Sequence, residues 1–350
     1  MIYRREVDGL RAVAVIAVIL FHAGFTVFRG GFIGVDVFFV ISGYLITNII
    51  AEDLEVGRFS IRDFYERRAR RILPALYLMM VLCIITSWFL FLPRDMSSFS
   101  ESVGVTSVFS SNILFWHDTG YFDTAAELKP LLHTWSLGVE EQFYIIFPIF
   151  LVMLWRLGRS RIIGILLILS ASSLLLAQWG AHNKPAAAFF LLPTRAWELG
   201  IGSLTAFYLF SKPQIIDDNT FSTQLFGVSG LLLIVIGVFY INHTTPYPSF
   251  YTLIPTLGTA LVLLFAGPQT LVGTLLGFRP VAAIGLISYG AYLWHQPLFA
   301  FFRYYSFGEQ SAYVSILLAL TALVVAYVGW RYVEQPFRRR DKVSTKSVGS

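Results

Sequence analysis

Ten apolar stretches, each close to the length that crosses a bilayer, leave this chain few ways to fold. They lie near 10–28, 32–50, 72–92, 138–157, 162–180, 193–211, 224–241, 251–267, 280–302 and 311–332. Roughly 20 apolar residues are needed to traverse the hydrocarbon. No water is available there to satisfy backbone groups, so each crossing must satisfy its own N–H and C=O groups as a helix. The rest of the sequence agrees. Charged residues make up 13% of the 350, against about 25% in soluble domains. Phe 32, Tyr 17 and Trp 8 supply rings for two membrane interfaces. The first stretch follows Arg4 and Arg5 but contains Arg11 and His22 and lacks a small-residue cleavage site. It is read as a retained helix rather than a signal peptide. A lone cysteine, Cys83, excludes an intramolecular disulfide.

Charge orients the spans. An eleventh stretch, 97–116, is rich in serine, and whether it crosses decides the sides of everything after it. If it does not cross and the N-terminus is cytoplasmic, 20 Lys and Arg fall inside and 5 outside; if it does, the split is 12 to 13. The excess of basic residues on cytoplasmic loops selects the first arrangement. The expected fold class is therefore an all-α polytopic membrane protein. It has about ten transmembrane helices, both termini cytoplasmic, and 97–116 as a re-entrant or outer-surface helix. The formal charge of +5 sits mostly beside spans, so no nucleic-acid partner is implied. The segment 117–135 is an outer loop long enough to bind a ligand, and the inner loop 51–71 opens a helix with Ser60 and Asp63 in capping-box spacing.

An ionisable side chain near the bilayer centre costs roughly 2.5–3.5 kcal/mol on insertion scales, so each one requires a partner, water or a function. Arg11 and His22 are eleven residues apart, three turns of one helix face, with a rise of about 16 Å. They read either as an interface arginine and a hydrogen-bonded core histidine, or as the wall of a channel in which the imidazole serves as general base. In GGFIGVDVFFVISGYL, glycines 30, 31, 34 and 43 permit close helix packing around Asp36. Arg67, Arg68, Arg70 and Arg71 in YERRARRILP present guanidinium forks suited to phosphates, or anchor the inner end of a span. HTWSLGVEEQFY places His133, Trp135, Glu140 and Glu141 at an outer helix end, as sugar ligands or as an interfacial belt. Arg195 and Glu198 pair at i,i+3. Ser288, Tyr292 and His295 share one helix face, and Arg331 with Glu334 are spaced to pair; both groups read as structural. No metal is expected.

These runs, with FYERRARRILPAL, KPLLHTWSLGVEEQFY, PTRAWELGIG, ISYGAYLWHQP and VEQPFR in order over about residues 1–340, resemble the bacterial membrane acyltransferase 3 family. The resemblance implies transfer of an acyl group, usually acetyl, from cytoplasmic acetyl-CoA onto an extracytoplasmic carbohydrate. It implies that Arg11 and His22 form the signature pair, with Asp36 and Ser42 in the second-span motif and Arg68 and Arg71 in the basic motif. On this basis His22, Arg11, Glu141 and Asp36 are the expected catalytic residues. Arg68, Arg71, Arg67 and Ser42 are the expected acetyl-CoA ligands, and His133, Trp135 and Glu140 the expected acceptor ligands. A covalent relay through Ser42 or His22 stays open. The expected acceptor is a glycan such as the O-antigen of lipopolysaccharide, reached from the inner membrane. Similar O-acetyltransferases often continue into a periplasmic SGNH domain, whereas here 341–350 reads as a tail after a 1–340 acyltransferase domain. A non-enzymatic transporter or flippase of a lipid-linked sugar is the competing class; it does not call for the arginine cluster.

Overall fold

The structure, a computed structural model, describes residues 3–118, 126–213, 219–306 and 311–338. The described residues are helical, with no strand among them. In chain order the helices are α1 (Arg5–His22), α2 (Gly34–Glu55), α3 (Ile61–Leu90), α4 (Pro93–Ser107), α5 (Ser111–His117), α6 (Thr134–Leu154), α7 (Arg159–Asn183) and α8 (Pro185–Phe190). Next come α9 (Leu192–Ser211), α10 (Phe221–Tyr240), α11 (Leu253–Phe265), α12 (Leu271–Leu276), α13 (Arg279–Leu286), α14 (Ser288–Ser306), α15 (Ala312–Gly329) and α16 (Gln335–Arg338).

Among the described residues, six helical segments are long and apolar enough to cross a membrane: Gly31–Glu55, Ile61–Leu90, Thr134–Leu157, Arg159–Asn183, Phe221–Tyr240 and Ala312–Arg338. This is a multi-pass membrane protein. The four other stretches read as spans differ for visible reasons. The first, α1, opens with Arg5, Glu6, Asp8 and Arg11, and α9 carries Arg195 and Glu198. At 13 residues α11 is short, and 280–302 is broken at Ile287 into α13 and α14. The serine-rich 97–116 is likewise not one helix. Phe109, in the left-handed region at φ 56°, separates α4 from α5, and at 15 and 7 residues each is too short to span.

The chain divides into two compact units. One comprises residues 1–21, 25–58 and 139–286; the other comprises 22–24, 59–138 and 287–350.

In the first unit, α2 is central: 78% of its spanning window is buried. Lipid is as apolar as leucine, so close backbone approach and van der Waals contact, rather than a hydrophobic drive, hold such helices together. The glycines show this directly. A Cβ at Gly43 would sit 1.9 Å from the Leu199 carbonyl oxygen, and one at Gly202 would sit 2.0 Å from that of Val40. Thus α2 and α9 cross backbone to backbone. Gly31 and Gly34 do the same against the Ala17 and Ala14 carbonyls of α1. Val7, Leu10, Val37, Val40, Ile234 and Val262 fill the core around this crossing.

In the second unit, Ser60 caps α3 by accepting the Asp63 N–H at 3.2 Å, the cap its spacing predicts. Tyr289 on α14 donates to the Ile72 carbonyl at 3.0 Å, tying α14 to α3. Tyr304, also on α14, donates to Asp95 at 2.7 Å and so fixes the start of α4. The chain turns through a π-helix at Trp330–Glu334, where Glu334 pairs with Arg338 at 2.7 Å.

Candidate functional site

Two buried polar clusters stand out, one in each unit.

The first centres on Arg195. Its Nη1 donates to Asp36 Oδ1 at 2.8 Å and to Glu198 Oε1 at 2.7 Å, and all three side chains are almost wholly buried. The i,i+3 pairing of Arg195 with Glu198 is as the sequence predicts; the third member, Asp36, arrives because the glycine crossing lays α2 against α9. Tyr247 donates its hydroxyl to Asp36 Oδ2. Burial, reinforced by the adjacent carboxylate, pushes the Tyr247 hydroxyl well above its ordinary range, so it stays a donor. The rings of Phe39, Phe189 and Tyr247 lie 5.4–5.6 Å from the guanidinium carbon. Each positive group here has a carboxylate or a ring face opposite it.

Elsewhere in the first unit, Ser42 donates to Glu140 Oε1 at 2.6 Å. A residue expected to touch the donor and one expected to touch the acceptor are thereby joined. Arg11 lies 3.6 Å from Asp8, one turn before it on α1. Glu141 is buried in α6.

The second cluster is made of histidines. The rings of His22 and His295 are 5.0 Å apart, and those of His133 and His295 are 5.4 Å apart. His22 ends α1, which runs unbroken from Arg5 as the eleven-residue spacing requires. Arg303 donates to the His22 carbonyl and so holds the helix end. His133 sits in the turn before α6 and His295 inside α14. Tyr292 organises the group: its hydroxyl donates to the His133 carbonyl at 3.0 Å and meets the Ser136 hydroxyl at 2.6 Å. Burial, with the neighbouring His22 adding to it, lowers the His133 imidazole to about 3, so that ring stays neutral. Trp135, one residue after the turn, is buried. Among the described residues no group of three or more His, Cys, Asp or Glu is disposed to hold a metal ion. His133 and His22 were both legible as site residues, but His295 read as structural. Its signal was present, since it is an ionisable ring within an apolar run.

The four arginines of α3 do not behave alike. Arg70 is buried, pairs with Glu66 at 2.9 Å and reaches the Phe337 carbonyl at 3.5 Å, so it anchors the C-terminal turn instead of presenting an open fork. Arg67 is exposed, while Arg68 and Arg71 are half-buried. Arg68 lies 5.8 Å from the Phe64 ring centre. The three remaining guanidiniums lie within little more than one helical turn, a spacing from which such groups can converge on one anion. The loop 119–125 and the tail 339–350 lie outside the described residues.

Residues 4–331 match the acyltransferase domain family, and the chain belongs to that family. It is 32% identical to the peptidoglycan O-acetyltransferase OatA of Listeria monocytogenes over 355 residues, covering 98% of this chain and 57% of that protein. It is 31% identical to the O-acetyltransferase OatA of Staphylococcus aureus, covering 97% of this chain and 58% of that protein. The chain thus spans little more than half the length of these relatives. No solved structure matches it.

Proposed function

We propose that this chain is the membrane-embedded acyltransferase part of an O-acetyltransferase. It would take acetyl from acetyl-CoA on the cytoplasmic side and deliver it towards a hydroxyl of a cell-envelope glycan. The names of its relatives favour peptidoglycan as that glycan over the O-antigen expected from sequence alone. Ten crossings, with both termini in the cytoplasm of a bacterium and the chain in its cytoplasmic membrane, suit this reading, because the basic clusters then face the donor. The relatives' greater length allows a further domain, such as a periplasmic SGNH domain, to complete delivery.

One observation carries the reading: the imidazole of His22, the histidine of the family's Arg–His pair, stands beside that of His295, with Arg303 holding its helix end. A neutral imidazole nitrogen can accept a proton from a hydroxyl, as a general base must. His22 removes the proton from the attacking hydroxyl. The thioester supplies the activated acyl carbon, and Arg67, Arg68 and Arg71 hold the donor's phosphates. The proton leaves His22 for the departing thiolate. Asp36, held by Arg195 and Tyr247, and Ser42, held by Glu140, keep the shape of α2 where it crosses α9.

The test uses the purified chain in detergent. Acetyl-CoA should raise the melting temperature of the unaltered protein, since a ligand that prefers the folded state stabilises it. His22→Ala should keep that rise and lose about 10²–10⁴-fold in acetyl transfer to peptidoglycan fragments. Full activity in His22→Ala would remove the base. No thermal response to acetyl-CoA would remove the donor.

A further inference from the structure

Three rings from three places in the chain meet in the first unit: Phe21 in the last turn of α1, Phe32 in the turn before α2, and His243 in the connection between α10 and α11. Phe21 lies 5.4 Å from the Phe32 ring and 5.4 Å from the His243 imidazole. Phe32 and His243 are 6.1 Å apart, with their planes only 26° from parallel. At that separation the two rings are offset side by side rather than face to face. Tyr247 meets Phe32 edge-on at 4.9 Å. His243 is exposed and Phe21 and Phe32 are half-buried, so the group opens at the surface of the unit.

Open rings at the end of a span also serve as an interfacial belt. A belt needs neither a polar rim nor a fixed loop, and this group has both. Asn242 Oδ1 accepts the Thr244 N–H at 2.9 Å and the Thr244 hydroxyl at 2.6 Å, while Thr245 Oγ1 accepts the Asn242 N–H at 3.3 Å. Tyr247 is held by Asp36, and Ser249 with Thr252 closes a capping box before α11. The connection is therefore pinned on both sides of its aromatic face. A sugar ring has the same division. Its C–H face carries partial positive charge that suits the negative face of an aromatic ring, and its rim of hydroxyls seeks hydrogen bonds. A lipid tail has no such rim to satisfy.

We propose that Phe32 and His243, backed by Phe21, bind one sugar ring of the acceptor glycan: the sugar lies across the two offset ring faces, with its hydroxyls towards Asn242 and Thr244. This rests on the acyl transfer proposed above and deepens it, because it gives the acceptor a place. In the arrangement proposed there, the end of α1 and the connection 241–250 both lie on the outer side, where the glycan is. Among the residues expected from sequence to touch the acceptor, His133 and Trp135 are buried and Glu140 is bonded to Ser42, whereas His243 stands open. The site binds only; no bond forms or breaks at it.

Binding decides it, measured by calorimetry as soluble peptidoglycan fragments are titrated into the full chain in detergent without acetyl-CoA. The unaltered chain should bind them. His243→Ala and Phe32→Leu should each weaken binding about three- to tenfold, the usual worth of an aromatic contact beyond its area. His243→Tyr, which keeps a ring, should restore most of the loss. Tyr251→Ala removes an exposed ring of the same connection from outside the group and should bind as the unaltered chain does. In acetyl transfer, His243→Ala should raise KM for the fragments by the same factor, with kcat and KM for acetyl-CoA unchanged. No binding by the unaltered chain, or equal binding by His243→Ala, would overturn the proposal. So would an equal loss in Tyr251→Ala, which is what a belt of interchangeable rings gives. If the fragments bind with the expected dependence on the rings and no acetyl moves, the site stands and the proposed reaction falls.

Discussion

The two buried clusters solve the same physical problem in opposite ways. Around Arg195, formal charges are kept and paired: two carboxylates, one guanidinium, a tyrosine hydroxyl and three ring faces, with the ion pairs at 2.7 and 2.8 Å. Around His295 the rings sit near one another without a carboxylate among the contacts described above. A network of paired acidic and basic groups holds a shape, because moving any member strands another. A neutral imidazole group can take up and release a proton with little rearrangement. The first cluster is thus suited to holding the α2–α9 crossing and the second to the acyl transfer proposed above, and variants should separate the two.

The largest effect is expected at Arg195. Arg195→Met leaves Asp36 and Glu198 buried with no cation, and removal of one partner from a buried ion pair typically costs about 3–5 kcal/mol. The purified variant should melt far below the unaltered protein or fail to accumulate in membranes. Adding Asp36→Asn and Glu198→Gln should recover much of the loss, since no charge is then stranded. A single Arg195→Met variant of normal melting temperature would mean that the network is not what holds the crossing.

Next comes the crossing itself. Gly43→Ala forces a methyl into the space of the Leu199 carbonyl, and overpacking of this kind costs about 1–3 kcal/mol. Gly164→Ala, on α7, meets nothing within 4 Å and should be neutral. Thermal melting of both in the same detergent tests the pair; equal melting temperatures would show that α2 and α9 do not need their close approach.

Much of this was readable before any coordinates. The apolar runs mark α2, α3, α6, α7, α10 and α15, because spanning length and lack of charge are local properties. The glycines at 31, 34 and 43 announce close packing without saying against what; Leu199 and the α1 carbonyls come only with the fold. Likewise Arg195 and Glu198 are a local pair, but Asp36 and Tyr247 join them from 159 and 52 positions away, beyond any helical period. The break at Ile287 and the turn at Phe109 escaped because neither carries a proline or glycine at the break. His295 was visible as an ionisable ring in an apolar run. On its own helix it shares a face with Ser288 and Tyr292, which reads as packing, while its meaning comes from His22 and His133.

The smallest effect concerns acid, and its sign follows from His133. Its folded value of about 3 lies below the ordinary 6.5, with burial as the main cause and His22 next. The groups facing it are the rings of Tyr292 and His295, with His22 adding positive charge when protonated. Above pH 6.5 the ring is neutral whether the protein is folded or not, so stability does not depend on it. Below 6.5 the unfolded chain gains a proton that the folded chain refuses, and stability falls as the pH is lowered from 6.5 towards 3. The loss is about 1 kcal/mol over the first full unit and approaches about 1.4 kcal/mol per unit below that. His133→Gln removes that proton and should flatten the fall in melting temperature between pH 6.5 and 5.5, leaving the share of the other imidazoles. A His133→Gln protein as acid-sensitive as the unaltered one would mean that this ring accepts a proton in the folded state, and the two clusters would then be less different than their contacts make them.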